Sequence, residues 1–157
     1  MQVGCLEAAV SAAIDVRRAR VQPGCQTEAV LMRHRVKVFF DGGCRPNPGP
    51  IEVAVVVRGT VHMFDDLGTG SNSDAEWLAL IRALEIAQMQ GLSECELIGD
   101  AIEVIGHADR ALRTGKANEG HAARFLALAA NNRPARVRWI KRAQNLAGIA
   151  LAARHPR

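Results

Sequence analysis

Apolar and polar residues alternate from Val36 to Phe40, where Val36, Val38 and Phe40 interleave with Lys37 and Phe39. Period two over a short run predicts a mostly buried strand, which the stretch from Gly42 and Gly43 through Pro46, Pro48, Gly49 and Pro50 is expected to end. Two further strands are predicted over Val53 to Val57 and Thr60 to Leu67, turning back near Arg58 and Gly59. The period then changes. After a Ser/Asn/Asp start signal at Ser71, the residues Trp77, Leu80, Ile81, Leu84 and Ala87 recur at helical spacing and predict an amphipathic helix. A short apolar run, Cys95 to Asp100, follows, and then a second helical pattern carried by Val104, Ile105, Ala108, Ala111 and Leu112. Alternating strand and helix patterns of this kind predict an α/β domain.

Three acids change the picture. Asp41 and Asp100 each stand at the carboxyl end of a predicted strand, and Glu76 is expected in the first turn of the first helix. Asp41 alone would read as a turn cap. Parallel strand ends with a helix start beside them can instead bring carboxylates within a few ångströms, where they repel unless cations join them. Hard oxygen donors select Mg²⁺ or Mn²⁺, and the arrangement is that of a metal-dependent phosphodiester hydrolase.

The chain has 157 residues and is 48% hydrophobic, enough for one real core. It has no apolar stretch long enough to span a membrane and no signal-peptide pattern, so the expectation is a soluble, cytoplasmic protein. Its four cysteines, Cys5, Cys25, Cys44 and Cys95, have neither zinc-ligand nor disulfide-framework spacing and are read as reduced thiols. The net charge is only +4, but from Gly120 to Arg157 there are eight Lys or Arg and no acid. Arg138, Lys141 and Arg142 in that segment are candidate phosphate contacts. The pattern carries no signal for oligomeric state.

In ordered blocks from about Arg35 to Arg154 the chain resembles type 1 ribonuclease H. DGGCRPNPGP is similar to the family's first-strand Asp and the Cys/Asn turn after it, SNSDAEWLALIRALE to its T-N-N-x-x-E helix, and IGD at Ile98 to Asp100 to its third acid. VRWIKRAQNLAGIALA is similar to its last strand, loop and closing N-x-x-A-D-x-L-A helix. The resemblance implies a five-stranded mixed sheet of order 3-2-1-4-5 with helices on both faces, in a domain over residues 35–157. It implies Asp41, Glu76 and Asp100 as catalytic metal ligands for Mg²⁺ or Mn²⁺. It also implies RNA/DNA hybrid as partner, approached by Cys44, Asn47, Asn72 and Asn145.

One expected ligand is missing. The family's fourth carboxylate, which helps hold the ion that activates the attacking water, falls at Ile149 in the ungapped register, or at Gly148 if the loop is one residue shorter. Neither residue binds a cation. Glu103 is a candidate substitute, with Asp74 and His155 behind it. The implied activity is therefore slow hydrolysis of the RNA strand of hybrids, and the alternative is a binding module for hybrid or double-stranded nucleic acid that has lost turnover. Residues 1–34 form an N-terminal extension outside the resemblance, with a helical pattern over Leu6 to Val21. It reads equally as a packing appendage, a partner-binding helix, or the product of an early start assignment.

Overall fold

The computed structural model describes residues 35–156, so the expected N-terminal helix and the thiols of Cys5 and Cys25 lie outside the described residues. The strands are β1 (Lys37–Cys44), β2 (Gly49–Val57), β3 (Thr60–Phe64), β4 (Thr69–Gly70), β5 (Glu96–Gly99) and β6 (Arg136–Trp139). The helices are α1 (Asn72–Met89), α2 (Ile102–Thr114), α3 (His121–Ala129) and α4 (Leu146–Ala153), with a 3₁₀ turn at Arg142–Gln144. The sheet runs β3-β2-β1-β5-β6, and the two-residue β4 pairs β2 off this path. β1 is antiparallel to β2 and parallel to β5, and β5 is parallel to β6. This is the expected order with one small strand added.

Alternation along the strands divides the interior in two. Val38, Phe40, Val53, Val55 and Val57 face the larger core with Leu80, Ile81, Leu84, Phe125 and Leu112 from α1, α3 and α2. Ala54 and Val56 face the other way, against Ala147 and Leu151 of α4 with Phe39 beside them. Small residues at this second contact let a short helix lie close to the sheet.

Two expectations are corrected. Gly42 and Gly43 do not end β1, which pairs with β2 as far as Cys44↔Ile51. A Cβ on Gly42 would lie 2.2 Å from the Ala75 carbonyl oxygen, so glycine is what lets α1 press onto the strand. α1 is also less amphipathic than its spacing implies: only Asn72, Ser73 and Met89 are fully exposed, because α3 covers the side turned away from the sheet. Its start is fixed by a capping box, with Ser71 N–H donating to Asp74 Oδ2 (2.8 Å) and Asp74 N–H donating to Ser71 Oγ (3.2 Å). No helix among the described residues is long and apolar enough to cross a membrane.

Candidate active site

Pairing of β1 with β5 runs through Phe39↔Ile98. Two residues further along each strand stand Asp41 and Asp100, so the parallel register itself brings these acids side by side. α1, seated on Gly42, delivers Glu76 to the same opening. Because the helix begins at Asn72, Glu76 lies just beyond its first turn. Oxygens of Asp41, Glu76 and Asp100 all lie within 4.8 Å of one another. The three acids singled out in the sequence therefore converge.

Asn145 secures this geometry. Its Nδ2 donates to the Phe40 carbonyl (2.9 Å) and to Asp100 Oδ1 (3.2 Å), while its Oδ1 accepts from Ala147 N–H (3.2 Å) and caps α4. Asn145 is fully buried. The expectation that it touches nucleic acid is thus corrected: its amide ties the ends of β1 and β5 to the start of α4.

Burial and mutual repulsion disfavour negative charge here. Asp41, only 4% exposed, is raised from its ordinary 3.8 to about 7 by loss of water, by the charge of Asp100 and by hydrogen bonding with that residue, against a smaller pull from Arg142. Glu76 is raised from 4.5 to about 9 by burial first and then by Asp41 and Asp100, with Arg142 and the Gly42 amide opposing. Glu76 Oε2 is enclosed and has no hydrogen-bond partner. An orphaned carboxylate oxygen beside two other acids fits a divalent-cation donor set.

These shifts have a sign. A carboxyl group with a raised folded-state pKa contributes stability that is fully present below its unfolded value and lost as pH rises through the folded one. Without divalent cation, the melting temperature is expected to fall by at least about 5 °C between pH 5 and pH 9. Glu76→Gln should flatten that fall, and added Mg²⁺ should reverse it in the parent. Thermal melts in EDTA and in Mg²⁺ across this range check it, and a parent profile matching that of Glu76→Gln would contradict it.

Asp41 and Glu76 open onto a cleft of about 320 Å³ lined by Gly43, Cys44, Arg45, Glu52, Asn72, Arg142, Gly148 and His155 among others. Cys44 is buried, its N–H donates to Asn72 Oδ1 (3.0 Å), and Asn72 N–H donates to Asn47 Oδ1 (3.2 Å). These bonds clip the turn after β1 to the start of α1. Asn47 and Asn72 remain exposed at the rim.

Residues 39–155 match the reverse transcriptase-like family. Ribonuclease HI of Halobacterium salinarum is 43% identical over 72 residues, covering 43% of this chain and 36% of that protein. The crystal structure of RNase H1 from the same archaeon is similar with a TM-score of 0.57 and 31% identity, over 74% of this chain and 93% of that one. The chain belongs to the type 1 ribonuclease H family. It spans only about a third of the length of the curated Halobacterium relative. LC11-RNase H1, solved in complex with RNA/DNA hybrid, is 28% identical, with a TM-score of 0.57 over 71% of this chain and 89% of that one.

The two residues expected at the fourth-carboxylate position, Ile149 and Gly148, are placed differently by α4. Ile149 is 53% exposed and does not line the cleft. Gly148 lies beside the acids: a Cβ on it would lie 3.4 Å from Asp41 Oδ2. The cause is helix phase. Ala147 and Leu151 turn toward β2, which carries Gly148 to the acids and Ile149 outward.

The other candidates separate. Arg138 is a partner of Glu96, a buried acid on β5 that accepts from Arg136 Nε (2.5 Å) and Arg138 Nε (2.7 Å). Arg124 pairs with Glu85, and Arg154 with Asp65, so part of the positive charge of the acid-free C-terminal sequence is met by acids from elsewhere. Lys141 and Arg142 are exposed and form no ion pair with a described residue. Glu103 is exposed on the first turn of α2 and outside the cluster. Asp74 serves the α1 cap and His121 (3.1 Å). His155 does line the cleft, facing Glu52, a residue the sequence reading passed over.

Proposed function

We propose that the chain hydrolyses the RNA strand of RNA/DNA hybrids, with Asp41, Glu76 and Asp100 holding Mg²⁺ or Mn²⁺. The observation that carries this reading is the convergence of the three carboxylates around an enclosed, unpartnered oxygen of Glu76. Divalent cations bound by such a set supply charge neutralisation at the phosphate and a more acidic water. The chain's own groups do the rest. Asp41 and Asp100, fixed by strand register and by Asn145, hold the donor oxygens in place. Arg142 at the cleft and Lys141 beside it offer cations to phosphates flanking the scissile one.

Recognition of the hybrid is assigned to the rim. Cys44, Asn47 and Asn72 lie on two clipped segments beside the acids, where polar side chains meet the shallow minor groove and its 2′-hydroxyls. The relative solved with RNA/DNA hybrid supports this choice of substrate. A cytoplasmic setting belongs to the same reading and is supported by the free thiols of Cys44 and Cys95.

One observation favours a second reading, a binder of hybrid without turnover: neither Ile149 nor Gly148, the two candidates for the fourth carboxylate position, is an acid. Cleavage of an end-labelled hybrid in Mg²⁺, in Mn²⁺ and in EDTA separates the two. Cuts in the RNA strand with either cation and none in EDTA are the expected result. Tight binding with no cut under any of the three conditions would establish the binder.

A further inference from the structure

The β2 strand reads Gly-Pro-Ile-Glu-Val-Ala-Val-Val-Val, and Glu52 is the one acid in it. Its place follows from register. Asp41 pairs with Ala54, and Gly43 pairs with Glu52. Directly paired residues of an antiparallel ladder project to the same face, as do residues two apart on one strand. Ala54 faces α4, so Asp41 and Glu52 project to that face as diagonal neighbours. On the helix side Gly148 stands next to Asp41 with no side chain of its own, and Glu52 lines the same cleft as Asp41, Glu76 and Gly148.

We propose that Glu52 is this protein's fourth metal-binding carboxylate, reaching from β2 into the room that Gly148 leaves and holding, with Asp41, a second divalent cation. This inference rests on the metal-dependent reading of the site. A carboxylate arriving from the strand replaces one arriving from the helix, with the same charge and the same kind of donor on the opposite wall of one small space. Asp41 makes the second donor available: it is 4% exposed and has no ion-pair partner among the described residues. Glu52 now accepts from His155 Nε2 (2.5 Å) and lies 3.9 Å from Arg154 Nη1. These contacts hold it at the rim, and a cation would compete for it with His155. Glu103, the substitute suggested by sequence spacing alone, has no comparable position.

The test uses the full chain and Mn²⁺ alone, followed by calorimetry and by the electron paramagnetic resonance of free and bound Mn²⁺. The parent is expected to take up two ions, one more tightly than the other. Glu52→Gln should retain the tighter site and weaken the other at least about tenfold. Gly148→Asp in the Glu52→Gln background should recover the second ion, since it supplies a carboxylate from the other wall. The substitution Glu52→Gln is near-isosteric at a partly exposed position, so a folded variant is expected, and a thermal melt verifies it. If Glu52→Gln binds both ions as the parent does, or only lowers the melting temperature, Glu52 is an anchor for His155 and Arg154 and the proposal fails. Asp41→Asn keeps the two failures apart: if it too binds Mn²⁺ like the parent, the metal reading of the whole site is wrong.

Discussion

Asp41→Asn is expected to remove cleavage of RNA/DNA hybrid by at least about a thousandfold, while leaving a protein that melts higher than the parent in EDTA at pH 8. The two effects have one cause. Asp41 lies within 4.8 Å of both other carboxylates and beside Gly148, so its amide would remove a donor from the middle of the site. Without cation, the same change removes a buried charge that Asp100 and Glu76 repel, at a pH where loss of water and that repulsion make ionisation unfavourable. An inactive variant that melts lower than the parent would indicate a packing role for Asp41. Loss of activity joined to higher metal-free stability identifies an acid retained for its ligand and not for the fold. Single-turnover cleavage and melts with and without Mg²⁺ measure both.

Much of this arrangement was legible in the chain because its signals are local. Acids at the ends of short apolar runs, a glycine pair after the first and a helix start signal at Ser71 fix where three carboxylates emerge, and parallel register brings two of them together. What depends on tertiary contact was not legible in the same way. The acid-free stretch from Gly120 reads as a phosphate surface, yet Glu96, Glu85 and Asp65 come from distant parts of the chain to pair with Arg138, Arg124 and Arg154. Asn145 reads as a polar residue near the substrate, and only the fold shows it enclosed between two strand ends. Glu52 had a signal that went unused. It is an acid in an apolar strand, two residues before a small alanine, in step with Asp41 across the ladder, and charge at such a position asks for a partner.

The phase of α4 leads to the second large effect. Gly148→Asp is expected to raise Mg²⁺-dependent cleavage of hybrid at least about tenfold, whereas Ile149→Asp should leave it near the parent rate. Ungapped spacing from Asn145 favours Ile149, but Ala147 and Leu151 pack on Ala54 and Val56, and a helix held by those two positions turns residue 148 toward Asp41. The new Cβ would sit in ordinary contact at 3.4 Å from Asp41 Oδ2, so the carboxylate enters without displacing backbone. Adding a fourth negative charge beside three acids lowers metal-free stability, and the gain should therefore appear with a steeper dependence of melting temperature on Mg²⁺. Replacement of glycine within a helix offsets part of that loss through its better helix propensity. Should Ile149→Asp accelerate cleavage and Gly148→Asp not, the helix would be turned by one residue from the phase described above. If both variants are folded, bind hybrid like the parent and cleave no faster, a carboxylate supplied from α4 is not what limits cleavage.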